Sequence, residues 1–207
     1  MPTVGLIGGT GPESTIDYYR LLIASYRRQR QDGSYPSILI NSIDLKRVTD
    51  CVTARRFPEL TEYLLGEINR LARAGAAFGA LTANTPHIVF DDLQRQSPIP
   101  LLSIVEVACV ATKSRGMKLV GLFGTRFTME GQFYQDVFNG EGITLVVPAA
   151  DEQAYIHDRY MNELINGIFL PETRAGLLQI AERMRVEDGI EGLILGGTEL
   201  PLILKEA

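Results

Sequence analysis

Short apolar runs bordered by glycine alternate with longer stretches whose apolar residues recur at helical spacing. This is the pattern of repeated βαβ units that build mostly parallel sheets. The runs at 3–7, 37–41, 77–81, 101–103, 119–122, 144–147 and 192–195 are predicted strands. Spans 14–30, 56–74, 106–114, 129–138, 152–166 and 171–187 are predicted helices. In the first helix Tyr18, Leu21, Leu22 and Tyr26 share one face, which predicts a stripe packed into the core.

The two halves of the chain repeat one another. Gly5-Leu6-Ile7-Gly8-Gly9-Thr10 is followed by Tyr18, and Gly121-Leu122-Phe123-Gly124-Thr125-Arg126 by Tyr134, thirteen residues after the first glycine in each case. Further on, Leu81-Thr82 runs into Ala83-Asn84-Thr85, and Leu195-Gly196 into Gly197-Thr198-Glu199. Ala83 lies 78 residues beyond Gly5, and Gly197 lies 76 beyond Gly121. Two matches in the same order at nearly equal separation predict an internal duplication. The expected fold is α/β, with two pseudo-twofold-related lobes of mostly parallel sheet flanked by helices, residues 1–98 and 99–207, meeting near Pro98-Ile99-Pro100.

In parallel sheets ligands bind beyond the carboxyl ends of the strands, and all four repeated motifs sit there. Gly9 and Thr10, in Gly8-Gly9-Thr10-Gly11-Pro12, let a ligand approach the backbone closely, and Pro12 suits the first position of a helix. A dinucleotide fingerprint is not met, because Ser14 stands where the third glycine would be, and no Gly-Lys-Ser/Thr follows as a phosphate loop needs. Thr85 before Pro86, and Thr198 before Glu199, are predicted to cap helices that face the ligand. Thr125 and Thr128 add hydroxyls at another strand end, Asn84 an amide, and Arg47 a guanidinium able to clamp a carboxylate.

Composition narrows the partners. With 45% hydrophobic and 22% charged residues and a net charge of −5, the chain reads as an ordinary globular protein without the basic patch that nucleic acid or an anionic membrane would need. The opening residues carry no basic leader and no apolar run approaches a membrane span, so a cytoplasmic location is expected. Two cysteines, Cys51 and Cys109, make no disulfide framework, and with His87 and His157 they show no metal-ligand spacing. Neither metal nor cofactor is expected.

Taken together, the glycine-rich start with Gly-Pro and Ser-Thr followed by Tyr-Tyr, Asn84-Thr85-x-His87, Gly124-Thr125-x-x-Thr128-Met129 and Gly196-x-Thr198-Glu199 resemble the aspartate/glutamate racemase family from residue 3 to about 203. The resemblance implies a cofactor-independent amino-acid isomerase, commonly a homodimer, that holds a small amino acid or carboxylate between its lobes. In the family one cysteine from each lobe flanks the substrate Cα, one removing the proton and the other returning it. Here those positions are Ala83 and Gly197, and neither has an ionisable group. Cys51 and Cys109 stand outside the motifs and are expected to be inert. The resemblance also implies a further strand and helix that return to the first lobe, beyond the point where this sequence stops. Two readings stay open: an enzyme that uses other acid–base groups, with His87 and Glu199 as candidates, or a catalytically inactive homologue that binds a small carboxylate as a sensor or regulatory protein.

Overall fold

The computed structural model describes residues 2–204 and forms two compact units, the first ending at Ile104 and the second beginning at Val105. In the first, β1 (Val4–Gly8), β2 (Ile38–Ser42), β3 (Phe78–Leu81) and β4 (Leu101–Leu102) make a parallel sheet in the order β2-β1-β3-β4. Its helices are α1 (Pro12–Gln29), α2 (Leu45–Thr53), α3 (Phe57–Arg73) and α4 (Phe90–Gln96), the last entered through a 3-10 turn at Thr85–Val89. From α5 (Ile104–Ser114) the chain enters β5 (Leu119–Gly124), the centre of a second parallel sheet. There β6 (Thr144–Val146) and β7 (Gly192–Gly196) flank it in the order β6-β5-β7. The helices of this unit are α6 (Arg126–Glu130), α7 (Gln132–Gly140), α8 (Ala150–Asn162), α9 (Pro171–Arg183) and the short α10 (Leu200–Ile203). No helix among the described residues is long and apolar enough to cross a membrane.

The seven expected strands are present, while the helices and the unit boundary differ from expectation. The expected helix at 129–138 is two, because the chain is extended at Gly131 (φ −72°, ψ 145°), where a Cβ would lie 2.6 Å from the Phe127 carbonyl oxygen. α2 lies outside the expected helices, and the helix expected after Thr85 is a 3-10 turn at Thr85–Val89 that leads into α4. The units meet at Ile104 rather than near Pro98, because Leu101–Leu102 pairs with β3 and so belongs to the first sheet. Leu21 is 65% exposed and Tyr18, Leu22 and Tyr26 are only half-buried. The fully buried residues of α1 within its helical span are Ser14 and Thr15, so the helix is anchored by the hydroxyls of its first turn rather than by an apolar stripe.

Core packing follows from side-chain periodicity. Leu60, Leu64, Ile68 and Leu71 fall on one face of α3 and are buried in the first unit. In β5, successive side chains point to opposite faces. Val120 and Leu122 therefore pack with Val105, Cys109, Tyr134 and Phe138, while Phe123 packs with Ile156, Tyr160 and Leu177 on the other face.

In each unit the central strand has the same two parallel neighbours in order, β2-β1-β3 in the first and β6-β5-β7 in the second. Gly5 of β1 lies opposite Gly79 of β3, and Gly121 of β5 opposite Leu193 of β7. Four residues on from those partners come Ala83 and Gly197, so these two occupy equivalent places after equivalent strands. The central strands end alike in Gly8 and Gly124. A Cβ on Gly124 would sit 2.8 Å from Thr128 Cβ and 2.9 Å from the Gly196 carbonyl oxygen. The second contact is with backbone of the paired strand, which cannot yield. Gly124→Ala should therefore destabilise the protein by about 1–3 kcal/mol in urea unfolding, the usual cost of overpacking.

Candidate functional site

The carboxyl end of the first sheet is held by a buried hydroxyl network. Gly9 (φ 87°) and the N-cap Gly11 (φ 125°) give the loop after β1 a backbone path that suits glycine, and Pro12 opens α1 as expected. Ser14 Oγ donates to the carbonyls of Gly11 (2.8 Å) and Thr82 (3.0 Å). Thr15 Oγ1 accepts from Gly9 N–H at 3.0 Å and lies 3.3 Å from Thr82 Oγ1, which in turn donates to the Ile7 carbonyl at 3.2 Å. The loop after β1 and the loop after β3 are thus one bonded unit. Thr10 and Asn84 are buried beside it in the same two loops. Ser14, Thr15 and Thr82 are the residues that sequence reasoning missed; hydroxyls in the first turn after a glycine loop were the available signal.

His87 is a brace in this arrangement. It is 2% exposed, its Nδ1 lies 3.0 Å from the Ala83 carbonyl oxygen, and its Nε2 accepts from Ile104 N–H at 3.2 Å. That pairing fixes the proton on Nδ1. The ring also stacks on Phe90 at 4.9 Å. Burial lowers its pKa to about 4, against the opposing effect of its bond to the Ala83 carbonyl. With both nitrogens engaged and the ring neutral, His87 has no free site for proton transfer, which corrects the expectation of an acid or base. Thr85 departs as well: it is the first residue of the 3-10 turn, Asn84 holds the cap position, and neither side chain caps it.

Arg47 lies in α2 and is exposed. Its guanidinium stacks over the Tyr63 ring, 3.9 Å from the centroid, and forms no ion pair among the described residues. Tyr63 thereby orients a charge that remains available to an anion.

The second unit builds a different cluster at the same topological place. Thr125 Oγ1 and Thr128 Oγ1, both buried, are 3.2 Å apart after β5. After β7, Thr198 caps no helix, and the four-residue α10 has Glu199 at its cap position without a side-chain cap bond. Instead, the Tyr160 hydroxyl and Thr198 Oγ1 both donate to Glu199 Oε2, and Thr198 N–H donates to Tyr160 Oη at 2.9 Å. Glu199, 3% exposed, braces this group through side-chain hydroxyls rather than through backbone N–H. Burial, reinforced by the neighbouring Glu199 carboxylate, pushes the Tyr160 phenol well above its ordinary pKa. The Tyr160 ring also explains Gly197, where a Cβ would lie 2.5 Å from Tyr160 Cε2. Nothing in the sequence announced Tyr160, which sits 37 residues before Gly197 on a helix of ordinary composition.

Both sulfurs lie in packed interiors, Cys51 1% and Cys109 2% exposed, and desolvation raises both thiols. Among the described residues, His, Cys, Asp and Glu side chains nowhere gather in threes as a metal ion would require.

Residues 7–207 match the Asp/Glu/Hydantoin racemase family. The chain belongs to that family. Among its relatives is the broad-specificity amino-acid racemase RacX of Bacillus subtilis (strain 168), 28% identical over 175 residues, which are 81% of this chain and 71% of the relative. An aspartate racemase homologue from Pyrococcus horikoshii OT3 has a solved structure similar to this chain with a TM-score of 0.83 and 36% identity, over 100% of this chain and 89% of that one. The aspartate racemase of Picrophilus torridus shares the fold, with a TM-score of 0.76 and 23% identity over 100% and 85% of the two chains.

Two outcomes test this geometry. The His87 pKa is 6.5 in an unfolded chain and about 4 in the fold, so the unfolded chain binds the extra proton between those values. The stability that comes from keeping His87 neutral is complete above 6.5 and is lost as pH falls toward 4, on the order of 3 kcal/mol. Urea titrations over that range should show the loss, and His87→Gln should flatten it while lowering stability at neutral pH. Separately, Gly197→Ala should cost about 1–3 kcal/mol, and a double-mutant cycle should show most of that cost vanishing in a Tyr160→Leu background.

Proposed function

We propose that this chain is an amino-acid isomerase whose substrate is a small amino acid or dicarboxylate, held by the loops at the carboxyl ends of the strands in both units, and that it acts without thiols. The observation carrying this reading is the register that gives Ala83 and Gly197 equivalent places after β3 and β7 in a chain of the racemase family. Those are the positions at which the family resemblance expects the two cysteines. Gly9, Thr10, Asn84 and Thr85 are the binding groups of the first unit on this reading, and Thr125, Thr128 and Thr198 those of the second. Arg47 is the carboxylate clamp, a role supported by its exposed guanidinium and its stacking on Tyr63. On the same proposal the protein is a cytoplasmic, cofactor-independent homodimer whose units descend from one duplicated ancestor; the matching strand order of the two sheets supports the last point.

A second reading is favoured by the chemistry that is missing. Ala83 and Gly197 cannot move a proton, His87 is fully engaged, and both thiols are buried and inert. A protein so built could hold the carboxylate and turn nothing over, as a sensor or regulatory subunit does.

Proton exchange separates the two. Incubated in deuterated water with a panel of the common L-amino acids, the protein is expected to exchange the Cα proton of at least one small or acidic member, seen as loss of its proton NMR signal. Alkylation of the denaturation-exposed thiols serves as the control for sulfur content, and alkylation of the folded protein should leave exchange unchanged. Calorimetric binding of aspartate, glutamate or succinate with no exchange across the panel would establish the second reading instead.

A further inference from the structure

In the second unit a phenol, a hydroxyl and a carboxylate bond to one another in the interior. Tyr160 on α8 and Glu199 after β7 are 5% and 3% exposed, and Thr198 lies between them in the bonding pattern. Buried phenol and carboxylate groups are costly unless paired, and paired groups of this kind gather where protons are moved. The cluster stands directly beside Gly197, because Tyr160 Cε2 fills the volume that a side chain at 197 would take. It also stands at the carboxyl end of β7, where parallel sheets bind ligands.

The proton inventory decides what the cluster can do. With the Tyr160 and Thr198 hydroxyls both donating to Glu199 Oε2, one lone pair of Tyr160 Oη accepts Thr198 N–H. The other has no donor in this arrangement, since Thr198 Oγ1, 3.0 Å away, has spent its proton on Glu199.

We propose that Tyr160 and Glu199 form a proton relay to the substrate Cα, with Thr198 as its positioning residue. The inference rests on the reading that the ligand lies at the strand ends. In the forward step the Cα–H bond breaks and its proton passes to Tyr160 Oη as the phenolic proton moves to Glu199 Oε2. The electron pair stays on the substrate, delocalised into its carboxyl group. Return of the two protons in the reverse order restores the Cα–H bond. The phenol remains neutral throughout, in keeping with burial that resists a phenolate. Because the relay's groups all come from one unit, protons leave and return chiefly on the face of the carbon that Tyr160 meets. Exchange with solvent therefore outruns inversion.

The test uses the full chain, Tyr160→Phe and Glu199→Gln with L-aspartate and L-glutamate in deuterated water. Deuterium at Cα is followed by NMR, inversion by chiral chromatography, and binding by calorimetry. Tyr160→Phe keeps the ring beside Gly197 but takes one partner each from Glu199 and from Thr198 N–H, so its melting temperature should fall modestly while its affinity for the amino acid stays close to the parent's. Its exchange rate should fall at least ~100-fold, the lower range for a general acid–base group. Glu199→Gln should fall comparably and carries the test if Tyr160→Phe fails to fold. In the unaltered protein, deuterium should enter faster than configuration is lost. Exchange that survives in a folded variant, or inversion as fast as exchange, overturns the relay while leaving the isomerase reading in place. An unaltered protein that binds either amino acid but exchanges neither overturns both.

Discussion

Both units depend on a central strand that ends in a residue with no room for a side chain. At Gly8 an added Cβ would meet Thr15 at 2.5 Å, and at Gly124 it would meet Thr128 and the backbone of β7. Close approach at these two points draws the loops after β1 and β5 against their neighbours, where short hydroxyl side chains can bond across. The Thr15–Thr82 bonds of the first unit and the Thr125–Thr128 pair of the second lie at those contacts. Larger residues would hold the loops apart and leave Thr15, Thr82 and Thr128 as buried hydroxyls without partners, at a cost of about 1–3 kcal/mol each.

The same topological place has been furnished differently in the two units. In the first, hydroxyls bond to backbone and a neutral histidine props the loop after β3 from behind. In the second, a phenol, a hydroxyl and a carboxylate bond to one another. Backbone-directed bonds fix loop geometry, whereas in the phenol–carboxylate pair burial keeps the proton on the phenol, which donates it to Glu199. The strands of the first unit thus end in hydroxyls tied to backbone, and those of the second in side chains tied to one another.

The strands were legible in the sequence because each is a short apolar run punctuated by glycine, and such runs have few alternatives. The registers put Gly79 opposite Gly5 and Leu193 opposite Gly121, so Ala83 and Gly197 each come four residues beyond a partner of the glycines that the sequence repeat is read from. Side-chain roles were less legible. Thr85 and Thr198 carry the sequence signature of helix caps, yet the helices that follow are too short for capping to govern them, and Thr198 is drawn to Tyr160 instead. His87 looked like a titrating group because its ordinary pKa is near neutrality; burial between Ala83 and Ile104 removes that property, and no local pattern reports burial. Tyr160 was invisible because its meaning comes from a glycine far along the chain.

The packing of Tyr160 against Gly197 also constrains how this chain can change over generations. Gly197 has no left-handed backbone conformation to preserve, so it is chiefly the aromatic ring, with Leu200 Cδ1 at 3.2 Å, that keeps a larger residue out. A cysteine arising there by one substitution would meet the ring before it met a substrate, and loss of the ring alone would leave Thr198 and Glu199 without the phenol that joins them. Each change is harmful unless the other has already occurred. The two positions hold one another in place, and neither can vary by itself without cost.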